Sequence, residues 1–362
     1  MSPLPTAQLH ALGQRLWLDN ISRQMLDDGT LKRYIDEWSI TGLTSNPTIF
    51  EHAIGHGTAY DSAITALAGD GRSAEELFFA LALQDLQAAA DLLRPLHERS
   101  NGLDGWVSLE VSPLLADDGA KTIRSAASLH QRAARPNLFV KIPGVPACID
   151  AIEESIFDGV PINVTLLFSR EQCLAAAEAY LRGIERRIAA GRSARVASVA
   201  SLFVSRWDVA VKDEVPAQMQ NRLGIAMAMR TYKAWCELLA GARWRKLAEA
   251  GALPQRLLWA STGTKDPAAP DTLYVQALVA PDTINTLPDK TLKAWAEHGR
   301  LAAPLPRDGG YAEAVLDEFR REGVDDEALA RRLQHEGVAA FSKSWQALLG
   351  RLREKSASLQ RH

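Results

Sequence analysis

Short β-branched or apolar runs alternate with longer helical runs along most of this chain. That alternation restricts the fold more than any other feature, because it is the mark of parallel βα units. Eight such runs stand in order: RLWLDN (15–20), ITGLTSN (40–46), WVSLEVS (106–112), LFVKIPG (138–144), PINVTLLF (161–168), RVASVASLFV (195–204), RLLWASTG (256–263) and a weaker TINTLP (283–288). Eight is the number that a closed parallel barrel requires. Between them lie helical patterns. Over 74–97, Leu77, Leu81, Leu86, Ala89, Leu93 and Leu96 recur at helical spacing, and Ser73 with Glu76 makes a capping box. A doubly wound open sheet is the competing architecture. Against it, no G-x-G-x-x-G follows the first run, and polar residues recur near the ends of several runs rather than at one switch point. Gly55 and Gly57 in AIGHGTAY read as an ordinary loop.

The expected fold is an α/β protein, a (β/α)8 TIM barrel over residues 1–300 with additional helices at both chain ends. After residue 300 the pattern changes: LAAPLPRDGG is a turn-rich linker to two charged helical segments, the second with Phe341, Trp345, Leu348 and Leu352 on one face. Residues 301–362 are expected to pack on the barrel as an extension, not as a separate domain.

The charge balance, 41 basic against 44 acidic residues, gives no footprint for nucleic acid or for an anionic membrane. The start, MSPLPTAQLHALGQ, has neither the basic nor the apolar region of a signal peptide, and no later stretch approaches the roughly 20 apolar residues of a membrane span. A cytoplasmic protein is expected. Cys148, Cys173 and Cys236 are too few and too scattered for a disulfide framework or a cysteine-rich zinc site, and each falls in a stretch that reads as helix. Buried structural cysteine is the reading for all three.

The chemistry is carried by polar residues where barrel strands should be apolar. Side chains alternate between helix layer and interior, so a polar residue between apolar neighbours is aimed inward. In LFVKIPG, Leu138, Val140 and Ile142 share one face and Lys141 stands on the other with Phe139. An interior lysine loses hydration, which favours its neutral, nucleophilic amine and suits imine formation with a carbonyl. From that segment alone, a lysine that reaches out of the barrel mouth or pairs with a carboxylate is an equal alternative. Three other strands add to it: Glu110 with Ser108 and Ser112 opposite Val107, Leu109 and Val111; Asp19 opposite Leu16 and Leu18; and Asn163 and Thr165 opposite Ile162, Val164 and Leu166. One lysine, two carboxylates and neutral hydrogen-bonding groups are the inventory of a Schiff-base aldol reaction. A metal site is not expected, since His52 and His56 are separated by Gly55 and no H-E-x-x-H is present.

TGLTSNPTIF, VSLEVS, LFVKIPG, INVTLLFS and SVASLFVSRWD resemble, in order, the signature segments of transaldolases. The resemblance runs from about Trp17 to about Trp295, and GVAAFSKSWQALLGRL is similar to the closing helix of the longer, bacterial-type members. It implies a cofactor-free and metal-free transferase of the Schiff-base aldolase superfamily in the non-oxidative pentose phosphate pathway. Such an enzyme moves a dihydroxyacetone unit from sedoheptulose 7-phosphate or fructose 6-phosphate to glyceraldehyde 3-phosphate or erythrose 4-phosphate. Its partners would be sugar phosphates, with a homodimer as a further option.

Carried over, the resemblance makes Lys141 the Schiff-base lysine and Asp19 the acid/base for the hydroxyl at the breaking C–C bond. Glu110 and Thr165 would hold the water that relays protons during imine formation. Asn46 and Asn163 would bind the dihydroxyacetone part, with Ser201 and Phe203 close by, and Arg206 would clamp the phosphate. For Arg206 the alternative is a surface salt bridge with Asp208; Asn46 also suits a helix N-cap before Pro47. WASTGTKDP departs from the family's A-S-F-R-like context, and the nearest cation there is Lys265. Two rivals are weighed: a fructose-6-phosphate aldolase, which looks shorter and carries Gln and Tyr where this chain has Glu110 and Phe203, and a catalytically silent barrel, which would be expected to lose the lysine or a carboxylate.

Overall fold

In the computed structural model, which describes residues 3–55, 57–68 and 71–360, each of the eight runs contains one strand. They are β1 (Arg15–Asp19), β2 (Ile40–Thr44), β3 (Trp106–Glu110), β4 (Leu138–Pro143), β5 (Ile162–Leu167), β6 (Ser198–Phe203), β7 (Arg256–Ala260) and β8 (Ile284–Leu287). Each pairs in parallel with the next and β8 returns to β1, closing a barrel whose connections are helical. The weak eighth run is therefore a full member. The fold is the expected (β/α)8 barrel, preceded by a helix Pro5–Ala11 and followed by helices Ala312–Arg321 and Asp326–Leu359. The helix Ala74–Arg99 begins with the reciprocal Ser73–Glu76 capping box. Among the described residues, no helix is long and apolar enough to cross a membrane.

Alternation along the strands separates two apolar clusters. Leu16 and Leu18, Val107 and Leu109, and Leu138, Val140 and Ile142 join the layer between barrel and helices. Trp17, Trp106, Phe139, Leu258 and Ile284 join the other cluster, which runs from the barrel interior to the helices beyond its C-terminal end and whose Trp17, Trp106 and Phe139 lie below the polar residues. There the Trp106 and Phe139 rings stack with centroids 4.0 Å apart, and Trp17 lies 6.1 Å from Phe139. This aromatic floor needs a strand without a side chain beside it: a Cβ on Gly42 of β2 would lie 2.6 Å from the Trp17 ring and 2.7 Å from the Trp106 carbonyl oxygen. Below the floor, β7 donates Arg256, whose guanidinium binds Asp104 Oδ1 and the Leu103 carbonyl, while Arg15 donates to Asp104 Oδ2 at 2.8 Å.

Two local expectations change. Leu166 does not share the face of Ile162 and Val164: the β5–β6 register shifts after Val164, Leu166 takes φ 58°, and Leu167 takes its place in the outer layer. Leu166 instead joins the inner cluster with Phe168 and Phe203. Gly55 is not loop but the last residue of the helix Pro47–Gly55, Gly57 follows at φ 91°, and His56 lies outside the described residues.

The helix Asp326–Leu359 lies across the C-terminal end of the barrel. Trp345 meets the Phe78 ring edge-on at 4.9 Å. The buried Gln334 amide donates to the carbonyls of Gly144 and Leu166, just past β4 and within β5. Further along, Thr48 donates to Ser344, Arg351 pairs with Glu51 and Lys355 with Asp61. Gly337 permits the approach, since a Cβ there would lie 2.9 Å from Leu166 Cδ2.

The Arg256–Asp104–Arg15 group yields a prediction. Asp104→Ala leaves two guanidinium groups facing each other in a largely desolvated site, so the unfolding free energy should fall by about 3 kcal/mol. Urea denaturation measures this; a loss under ~1 kcal/mol would mean that solvent screens the group.

Candidate active site

The inward alternation continues above the aromatic floor with polar residues, which gather at the C-terminal ends of the strands, where barrels of this kind carry their sites. Glu110 of β3 and Asn163 of β5 are the backbone register partners of Lys141 in β4, so three adjacent strands present carboxylate, amine and amide side by side. A cavity of about 250 Å³ opens above them. Asp19, Asn46, Lys141, Thr165, Ser201, Phe203, Arg206 and Lys265 all line it. Glu110 and Asn163 do not; each is reached through a neighbour that does.

Lys141 is buried, and its ammonium donates to the Ser45 carbonyl at 3.0 Å and to Glu110 Oε2 at 3.3 Å. The lysine does not reach out of the barrel mouth: it pairs with a carboxylate, and it does so inside the cavity. Ser201 donates to Asn163 Oδ1 at 2.7 Å, and Asn163 Nδ2 donates to Ser108 Oγ at 3.2 Å. Asp19 Oδ1 accepts the Thr44 hydroxyl at 2.8 Å. Since that uses Thr44's only proton, Thr286, whose oxygen lies 2.8 Å away, must be the donor to Thr44. Thr165 Oγ1 is buried and has no protein partner, so a water or a substrate hydroxyl would satisfy it.

Burial dominates the electrostatics. It raises both Asp19 and Glu110 above the ordinary carboxylate range, while Lys141 pulls each back down, helped at Asp19 by Thr44 and Lys265. Each carboxylate is therefore a better proton acceptor than an exposed one. Half-burial lowers the Arg206 guanidinium somewhat, with Glu336 of the C-terminal helix opposing. Such a group stays charged at any ordinary pH.

The rim residues come from short segments after the strands. Arg206 lies in the first turn of the helix Ser205–Val211, past β6. Its alternative, a surface salt bridge with Asp208, is not what forms: Asp208 is buried, accepts from the backbone amides of Leu223 and Gly224 and from the Tyr274 hydroxyl, and is pushed up to about 6 by burial. Asn46 does cap the helix Pro47–Gly55, its Oδ1 accepting the Ile49 amide at 3.0 Å, and it also lines the cavity. Lys265 faces the same cavity from the loop after β7.

The cavity also has walls that sequence reasoning did not single out. Thr44 and Thr286 are inward residues of β2 and β8 whose alternation could have marked them. Ser261, at φ 55° just past β7, carried no periodic signal. Phe341 was read as a packing residue of the C-terminal helix, yet its ring lies 6.0 Å from Lys141 Nζ. The cysteines take no part: burial raises the thiols of Cys148, Cys173 and Cys236, to about 11 for Cys148, and none lines the cavity.

A desolvated primary amine beside one carboxylate, a second carboxylate within electrostatic reach, and two cations at the rim suit imine formation with a carbonyl compound that bears an anionic group. Residues 16–352 match the family model described as transaldolase/fructose-6-phosphate aldolase. Curated relatives named transaldolase from Thiobacillus denitrificans, Thermobifida fusca and Neisseria gonorrhoeae are 45%, 44% and 42% identical, over 96%, 98% and 96% of this chain and 99% of each relative. With its barrel and its interior lysine, the chain belongs to the transaldolase/fructose-6-phosphate aldolase family.

Proposed function

We propose that this protein works as a transaldolase through a Schiff base on Lys141, moving a dihydroxyacetone unit from a ketose phosphate to an aldose phosphate. The observation that carries the reading is the Lys141–Glu110 pair, a desolvated amine 3.3 Å from a carboxylate with raised proton affinity. Relatives named transaldolase across nearly the whole chain support it. Fructose-6-phosphate aldolase activity is the nearer rival, but Glu110 and Phe203 stand where those enzymes carry Gln and Tyr. A silent scaffold is disfavoured because the lysine and both carboxylates are all present. The reading carries the cytoplasm as compartment and a homodimer as the assembly to look for.

In the reaction, the Lys141 amine adds to C2 of the ketose, and the carbinolamine loses water to give the imine. Glu110, with a water held at the unpartnered Thr165 hydroxyl, moves the protons of both steps. Asp19, as carboxylate, takes the proton of the C4 hydroxyl. The C3–C4 bond breaks, and its electron pair flows into the imine to leave an enamine on Lys141. Asn163, Ser201 and Asn46 hold the hydroxyls of the retained fragment, and Arg206 with Lys265 receives the phosphate. The acceptor aldose then adds at C3, and the steps run in reverse.

Lys141→Ala should leave a folded protein without activity and without borohydride trapping by fructose 6-phosphate, read by peptide mapping; trapping at another lysine would sink the assignment. Glu110→Gln should slow imine formation and hydrolysis, and Asp19→Asn should impair C3–C4 cleavage more than imine formation. Pre-steady-state trapping separates the two, and equal effects would reject this division of labour. Because burial raises both carboxylates and each acts as a base, kcat/KM should decline with falling pH before the ordinary carboxylate range near 4 is reached. Arg206→Ala should weaken kcat/KM for fructose 6-phosphate by about 2 kcal/mol, roughly 30-fold, and hardly change that for free fructose. An equal loss on both substrates would place the phosphate site elsewhere.

A further inference from the structure

The C-terminal helix contributes more than packing. Phe341 is buried at 6% exposure, lines the cavity, and holds its ring 6.0 Å from Lys141 Nζ. Its ring also approaches Phe203 edge-on at 6.5 Å, and Phe203 in turn meets Phe168 at 5.4 Å, so an apolar wall runs from β6 to the last helix. That wall is firmly held. Gln334, two turns earlier, ties the helix to the strands that carry Lys141 and Thr165 through the Gly144 and Leu166 carbonyls. Trp345, one turn later, is anchored between Phe78 and Phe79.

The enamine left on Lys141 after cleavage is exposed to a competing fate. A proton can add at C3, the C=C pair becoming the new C–H bond and restoring the imine. Water then adds across C=N, the nitrogen leaves as the Lys141 amine, and free dihydroxyacetone departs with the water's oxygen as its carbonyl. Imine hydrolysis also ends ordinary turnover, so what limits this route is the access of solvent, as proton source, to C3 of the enamine.

We infer that Phe341 is a positioning residue that shields the Lys141-bound intermediate from water, so that the fragment passes to an acceptor aldose and is not released. This rests on the Schiff-base reading of Lys141.

The test measures partition. With fructose 6-phosphate as donor and erythrose 4-phosphate as acceptor, free dihydroxyacetone and sedoheptulose 7-phosphate are quantified for the unaltered protein, Phe341→Leu and Phe341→Ala. Phe341→Ala should raise the ratio of released to transferred fragment on the order of tenfold, a ~1.4 kcal/mol change between two barriers, with Phe341→Leu smaller in the same direction. Borohydride should still label Lys141 in all three. If Phe341→Ala does not fold, the ratio for Phe341→Leu decides. Variants that lose overall rate but keep the ratio would overturn the inference and leave Phe341 as packing alone. Failure of Lys141 to label in the unaltered protein would overturn the inference together with the reading on which it rests.

Discussion

The contact between Lys141 and Glu110 is the constraint around which the rest is arranged. An ammonium and a carboxylate taken out of water lose several kcal/mol of hydration apiece, and their mutual attraction offsets this only when geometry is good and other polar partners complete the shell. Adjacent strands in register provide the geometry, and the Ser45 carbonyl provides a further acceptor. The aromatic floor below excludes water from one side and Phe341 from another. The same desolvation that makes the pair expensive to bury raises the proton affinity of the Glu110 carboxylate, which suits it to proton transfer. Stability and chemistry therefore bear on the same few atoms.

Much of this was legible along the chain, for a physical reason. A barrel strand has one outer and one inner face, so Lys141, Glu110, Asp19 and Asn163 betray themselves as polar residues out of step with apolar neighbours. What could not be read lies where that two-residue rhythm breaks or where distant segments meet. Leu166 defeats the rhythm because a left-handed residue shifts the register within β5. Asp208 has partners at 223, 224 and 274 that only the folded chain brings near, so its neighbour in sequence, Arg206, suggested a pairing that burial forbids. Phe341 shows a helical apolar stripe, and nothing in a stripe tells which of its members faces a wet cavity and which a dry core. Asn46 could be read both ways; it caps its helix and lines the cavity, and capping uses its oxygen while leaving its amide nitrogen unengaged by the cap.

The two ends of the barrel divide their work accordingly. Beneath the floor, Arg15, Asp104 and Arg256 form a charged group with no member in the candidate active-site cavity, and above it every strand except β3 sends at least one residue, or the segment just past it, into that cavity. An ionic group below can hold the strands in place while residues at the mouth are free to be chosen for reactivity.

The Gln334 amide reaches back to carbonyls at 144 and 166, bonding the ends of two adjacent barrel strands to the helix Asp326–Leu359. During synthesis those carbonyls, and the apolar surface around Leu166 and Phe203, leave the ribosome long before their cover exists. The barrel can assemble around its aromatic floor as soon as β8 has emerged, but its mouth stays open and sticky until the helix Asp326–Leu359 follows. Such a chain has an aggregation-prone interval between the emergence of its barrel and that of the covering helix, and Lys141 gains its enclosure only after that interval.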